Sequence, residues 1–174
     1  ICLCGSRIFV ERPIYERFKN DFVEKVKQLI PSDPNKKESK IGAVVSASHM
    51  EKVLSYVNLA KEEGGVILTG GYRHYPEGRC AGGWFIMPTV IEGLSAYCRT
   101  NQEEIFGPVV TIMPFDTEEE VLSYANSTKY GLAAILWTNN LSRSQRMAQH
   151  LHCGIIWINC WLIRDLRTPF GGVK

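Results

Sequence analysis

Short β-rich runs alternate along the whole chain with segments of helical periodicity, and this alternation limits the available folds more than any other feature. Arg7 to Val10 reads as a short buried strand, and Pro13 stands at a favourable first helical position for an amphipathic segment running to about Leu29. Pro31 to Lys40 is a polar loop. Ser48 is expected to cap a second helix through Glu63, with Glu51 completing a capping box and Gly64-Gly65 ending it. Further strands are expected at Val66 to Thr69, Trp84 to Val90, Val109 to Phe115, Leu132 to Thr138 and Ile155 to Asn159, with residues 72–83 as a surface loop. Thr117 with Glu120 caps a helix to about Asn126, and Ser142 caps one to about Leu151. Such alternation predicts an α/β fold, a mainly parallel sheet flanked by helices.

Composition removes several function classes. With 45% hydrophobic and 22% charged residues, the 174-residue chain is able to bury one core, so a single globular unit is expected. The net charge of +2, from 20 Lys+Arg against 18 Asp+Glu, lacks the surplus that phosphate-backbone binding requires, which argues against nucleic acid. No apolar run approaches the roughly 20 residues of a membrane helix, and the first residues lack signal-peptide character. The six cysteines form no CxxC pair, and no histidine stands near them at metal-ligand spacing, so free thiols and no metal are expected, in a cytoplasmic protein. The abrupt start at Ile1 and stop after Gly171-Gly172-Val173-Lys174 lead us to expect a domain truncated at both ends.

Three places carry residue types suited to chemistry. Cys2 precedes the turn-compatible Gly5-Ser6 and a strand; a polarizable thiolate suits attack on carbonyl carbon, although residue type alone also allows a structural thiol. Glu103-Glu104-Ile105-Phe106-Gly107-Pro108 sets two carboxylates beside a rigid turn. A carboxylate there is able to accept two sugar hydroxyls, with Phe106 offering a flat face to a ring, or the segment is a solvated acidic turn. The stretch from Asn159 to Gly172 follows the last strand and contains Trp161, Arg164, Asp165, Arg167 and Phe170. Guanidinium groups there suit an anionic organic molecule, or the stretch is a solvated loop. His49, His74, His150 and His152 show no partner pattern and read as surface or structural residues.

Taken together, Ile1-Cys2-Leu3-Cys4-Gly5-Ser6-Arg7, Gly83-Trp84-Phe85 through Pro88-Thr89-Val90, E-E-I-F-G-P at 103–108, Tyr130-Gly131-Leu132-Ala133-Ala134 and Pro169-Phe170-Gly171-Gly172 resemble the catalytic domain of the aldehyde dehydrogenase superfamily, in order and spacing. The resemblance assigns the nucleophile to Cys2, five residues before Arg7, and not to Cys4. It implies that Glu104 binds the nicotinamide ribose, that Phe106 packs near the nicotinamide, and that Trp161, Arg164 and Phe170 line the substrate pocket. The run R-D-L-R-T-P-F-G-G is similar to the branch that oxidises 2-aminomuconate or 2-hydroxymuconate semialdehydes. In that branch Arg164 would hold the far carboxylate, with Arg167 as a second contact.

The resemblance further implies an NAD cofactor, with NADP as the alternative, and a dimeric or tetrameric homo-oligomer. In the family the glycine-rich cofactor segment, the oxyanion asparagine and the general-base glutamate all precede the nucleophile. Residues 1–174 are therefore expected to form one partial catalytic domain lacking most of the cofactor-binding domain, inactive by itself. Two other readings stay open, a non-catalytic truncated subunit that co-assembles with full-length enzyme and a coenzyme-A-acylating aldehyde dehydrogenase.

Overall fold

The computed structural model describes residues 2–174; Ile1, first residue of the active-site-like segment, lies outside the described residues. Two compact units are present, one spanning Ser6–Pro114 and the other combining Phe115–Lys174 with the stretch up to Gly5.

The larger unit runs through strand β1 (Arg7–Glu11), helices α1 (Arg12–Lys27) and α2 (Ala47–Glu62), strand β2 (Val66–Thr69), the two-residue strands β3 (Arg73–His74) and β4 (Phe85–Ile86), strand β5 (Thr89–Glu92), the one-turn helix α3 (Arg99–Gln102) and strand β6 (Val109–Phe115), whose last residue opens the second unit. Its four-stranded sheet has the order β1-β6-β5-β2. β5 runs parallel to β6, Val90 opposite Val110, and β2 is an antiparallel edge strand.

Side chains alternate across a strand, so the adjacent Val90 and Ile91, both 0% exposed, serve different cores. Val90 packs with Val10, Tyr15, Val23, Val26 and Ile112 on the side of α1. Ile91 packs with Met50, Val53, Val57, Ala60 and Ile86 on the side of α2. A strand covered on both faces explains the uninterrupted apolar run in this part of the sequence. Ile91→Ala should cost about 2–5 kcal/mol through lost burial and the cavity left behind. Urea unfolding of the full-length protein checks this, and a loss below about 1 kcal/mol would place Ile91 outside a well-packed core.

In the smaller unit, helix α4 (Glu118–Asn126), strand β7 (Ala133–Leu136), helix α5 (Leu141–His150) and strand β8 (Ile155–Ile158) follow in turn, with β7 and β8 parallel. Glu118 joins α4 to α5, accepting hydrogen bonds from Arg143 Nε and Arg146 Nη2, each at 2.8 Å. Arg146 and then Arg143 hold its carboxyl below the usual range.

The α/β class with helices flanking the sheet is as expected; two helix starts are not. Ser46, not Ser48, caps α2, its hydroxyl accepting from the His49 N–H at 3.1 Å. Both serines have cap chemistry, but Ala47 between them is a strong helix former and is already helical, so the earlier cap takes the end. Likewise Asn140, not Ser142, caps α5, accepting from the Arg143 N–H at 2.9 Å. Thr117 caps α4 as expected, but Glu120 reaches back to the N–H of Asp116, one residue before the cap. β3 and β4 pair within and just after the stretch expected as a plain loop, each too short to leave a period-2 pattern. Among the described residues no helix is long and apolar enough to cross a membrane, and no group of three or more His, Cys, Asp or Glu is arranged to hold a metal.

Candidate functional site

Cys2 lies in a turn and is solvent-exposed, whereas Leu3 beside it is 5% exposed. Burying Leu3 fixes the peptide while leaving the neighbouring thiol accessible. The anchor is specific: Trp161 Nε1–H donates to the Leu3 carbonyl at 3.2 Å across 158 residues of sequence. The Trp161 indole N–H is thus engaged by backbone, and what remains for a ligand is its half-exposed ring. Cys4 is exposed too, so accessibility does not separate the two thiols.

The loop that carries Trp161 begins where Asn159 ends β8. Its side-chain amide extends the strand pairing, accepting from the Thr138 N–H and donating to the Thr138 carbonyl, both at 2.9 Å. Asn159 and Leu162 adopt left-handed backbone, φ 55° and 60°, costly for residues with a Cβ and informative where it persists. A second indole holds the loop from below: Trp157, 4% exposed, donates from Nε1 to the Ile163 carbonyl at 2.9 Å. Trp157 was readable only as a core residue, because nothing in the sequence marks a six-residue return of the chain onto its ring.

Of the two arginines in this loop, one is occupied. Arg167 grips the Asp165 carboxylate through Nε (2.9 and 3.0 Å) and Nη2, and its backbone N–H donates to the same group at 2.9 Å. These bonds hold the Asp165 carboxyl below its ordinary range, the Arg167 side chain contributing most. Arg164 instead lays its guanidinium over the exposed Phe170 ring, Cζ 5.3 Å from the centroid. A guanidinium over an exposed aromatic face is suited to receiving an organic carboxylate.

Two of the recurring glycine segments meet at one carbonyl. Gly131 oxygen accepts from Gly154 N–H at 2.9 Å and from Val173 N–H at 3.2 Å, drawing the Pro169–Lys174 tail against the start of β7 and β8. A Cβ on Gly154 would lie 1.7 Å from the Gly171 carbonyl oxygen. Gly154→Ala must therefore displace the tail at Gly171, the residue next to Phe170. Amide exchange in residues 169–174 of the full-length protein should be faster in Gly154→Ala than in the unaltered protein. An unchanged rate would show that the tail does not rest on Gly154.

The E-E-I-F-G-P turn lies in the larger unit, after α3, and its two carboxylates have separate fates. Glu103 accepts from Arg99 Nε (2.8 Å) and Nη2 (3.2 Å) and from the Tyr56 hydroxyl (2.7 Å), so it is bound into the fold. The buried Asn101 secures the turn's entry, donating to the Ser95 carbonyl at 2.8 Å and accepting from the Thr111 hydroxyl at 2.6 Å. The Glu104 side chain is exposed and makes no hydrogen bond among the described residues, leaving both oxygens available to a diol. Phe106, 50% exposed, stands at φ 58°, so the turn turns its ring outward at a backbone cost. An exposed carboxylate two residues from an exposed flat ring fits a ribose joined to an aromatic base. Of the expected site residues, Cys2, Trp161, Arg164, Arg167 and Phe170 thus belong to the smaller unit, and Glu104 and Phe106 to the larger.

Comparison with known proteins gives a consistent result. Residues 1–174 match the aldehyde dehydrogenase family. The chain is 47% identical over 173 residues to a 2-aminomuconic 6-semialdehyde dehydrogenase from Pseudomonas sp, covering 99% of this chain and 35% of that protein. It is 44% identical over 174 residues to a 2-hydroxymuconic semialdehyde dehydrogenase from Pseudomonas sp. (strain CF600), covering 100% of this chain and 36% of that protein. A betaine aldehyde dehydrogenase from Staphylococcus aureus, solved in complex with NAD+ and with a BME-modified cysteine, superposes with a TM-score of 0.94 at 36% identity, over 100% of this chain and 35% of that one. The chain thus spans about a third of the length of the curated relatives it matches.

Proposed function

The chain belongs to the aldehyde dehydrogenase family, and from that footing we propose that residues 1–174 are the nucleophile-bearing catalytic domain of a longer enzyme that oxidises an acid-bearing semialdehyde, such as 2-aminomuconate semialdehyde, to the acid. The observation that carries this reading is the Trp161–Leu3 bond, which ties the residue after the exposed Cys2 to the loop presenting Arg164 over Phe170. In the proposed reaction the Cys2 thiolate forms a C–S bond to the aldehyde carbon, and the Cys2 backbone N–H helps to stabilise the resulting oxyanion. NAD, with NADP as the alternative, supplies the acceptor for the hydride that leaves this carbon. The thioester left on Cys2 is then hydrolysed, releasing the acid and restoring the thiol.

Arg164 holds the distant carboxylate, so the aldehyde meets sulfur in one orientation, a gain worth several orders of magnitude in rate when geometry is tight. Glu104 takes the ribose hydroxyls and Phe106 covers the base. Trp161 and Phe170 wall the pocket; Arg167 supports the loop through its pair with Asp165 and is the second contact to the carboxylate. A reducing compartment, the cytoplasm, is carried over from the sequence reading of the cysteines as free thiols. Assembly as a dimer or tetramer is carried over from the family resemblance.

The test is to supply the full-length enzyme with an acid-bearing semialdehyde and NAD+, and to follow cofactor reduction and product with and without coenzyme A. Free acid formed in step with reduced cofactor, independently of coenzyme A, is the expected result. An acyl-coenzyme-A product would move the enzyme to the thiol-releasing branch, and no reduction at all would end the reading.

A further inference from the structure

We propose that one face of α2, from His49 in its first turn to Tyr56, is the platform that holds the Glu104–Phe106 turn in its cofactor-receiving form, an inference that rests on the cofactor reading of Glu104 and Phe106. Residues three, four and seven apart share a helix face, and the four residues so related, His49, Lys52, Val53 and Tyr56, each meet a different part of residues 103–107. Tyr56 hydroxyl donates to Glu103 at 2.7 Å, and Lys52 Nζ donates to the Glu104 carbonyl at 3.2 Å. His49 Nε2 lies 2.8 Å from the Phe106 carbonyl oxygen. A carbonyl oxygen only accepts, so His49 carries its proton on Nε2. Gly107 lies flush on Val53, where a Cβ would stand 2.5 Å from Val53 Cγ2.

The contacts are selective in a way that packing alone does not explain. Lys52 and His49 hold backbone carbonyls, while the Glu104 carboxylate is left free of them and the Phe106 ring stays exposed. The ring of His49 meets that of Phe106 edge-on, centroids 6.4 Å apart at 73°. Phe106 is the strained residue of the turn, and a peptide at φ 58° relaxes unless its neighbours over-determine it. His49 grips this peptide by its oxygen and its ring by the edge. It is a positioning residue, acting on the cofactor through Phe106 rather than by touching reacting atoms.

The test uses full-length protein carrying His49→Ala or His49→Gln, the latter keeping an N–H donor of similar reach. Without cofactor, amide exchange in residues 103–107 should quicken roughly tenfold in His49→Ala, the scale of one lost hydrogen bond. NAD+ affinity by calorimetry should weaken roughly threefold to tenfold, and His49→Gln should recover most of both. Phe106→Gly keeps the carbonyl that His49 holds but removes the ring contact and the strain, so adding His49→Ala to it should change exchange clearly less than in the unaltered protein, by about threefold rather than tenfold. Unchanged exchange in His49→Ala, or an equal effect with and without the Phe106→Gly change, overturns the platform and leaves the cofactor reading standing. Undiminished NAD+ affinity in Glu104→Gln overturns the cofactor reading itself, and with it the purpose assigned to the platform.

Discussion

On the proposed mechanism, Cys2→Ala in the full-length protein should abolish aldehyde oxidation, with turnover falling by at least about 10⁴-fold, because the covalent adduct forms on that sulfur. Its NAD+ affinity stays within about twofold, since a methyl in place of the thiol leaves Glu104 and Phe106 intact. Cys4→Ala is the needed control. The two thiols share a turn region and both are exposed, so chemistry and not access must separate them. Cys4→Ala should keep turnover within about threefold, as expected of an exposed side chain outside the reaction. Mass spectrometry of enzyme quenched during turnover should find the acyl group on the peptide containing Cys2. Retained turnover in Cys2→Ala, or an adduct confined to Cys4, defeats the assignment.

The second large effect concerns specificity. Arg164→Gln should lower kcat/KM for an acid-bearing semialdehyde by roughly 10²–10³-fold, the scale of a lost two-pronged charge-assisted contact together with lost orientation. An uncharged aldehyde of similar length should change by less than about threefold, because it never used the guanidinium. Arg164→Lys should recover only part of the loss, since an ammonium lacks the planar fork and lies less well on Phe170. Arg167→Gln should cost far less than Arg164→Gln, its guanidinium being spoken for by Asp165. Equal losses for both aldehydes in Arg164→Gln would make the residue structural rather than selective.

How much of this was legible beforehand depended on the range of the interaction concerned. β6 was readable to the residue because Val109–Phe115 is a long apolar run bounded by Pro108 and a capping threonine. The caps at Ser46 and Asn140 were missed because neighbouring residues of equal cap chemistry compete, and the outcome turns on which backbone is already extended. At the site, Glu103 and Glu104 look alike in sequence; they differ because Arg99 and Tyr56 reach the first and not the second. Arg164 and Arg167 flank the same aspartate, and only the turn closed by the Thr168 N–H on the Asp165 carbonyl gives Arg167 to it. His49 was read as a surface or structural histidine, and its partner stands 57 residues away, beyond any local signal.

Among the described residues, the non-glycine positions with left-handed backbone are Phe106, Asn159 and Leu162, and all of them sit in the two candidate binding loops. Glycine at Phe106 or Leu162 would relax the chain, by about 1 kcal/mol each on the usual scale for such strain, whereas at Asn159 it would forfeit the two hydrogen bonds to Thr138. Laboratory evolution for heat tolerance alone should therefore drift toward glycine at Phe106 and Leu162 and yield proteins that melt later while binding and turning over less well. Breeding a sturdier catalyst from this scaffold calls for substitutions elsewhere, with those three positions left as they are.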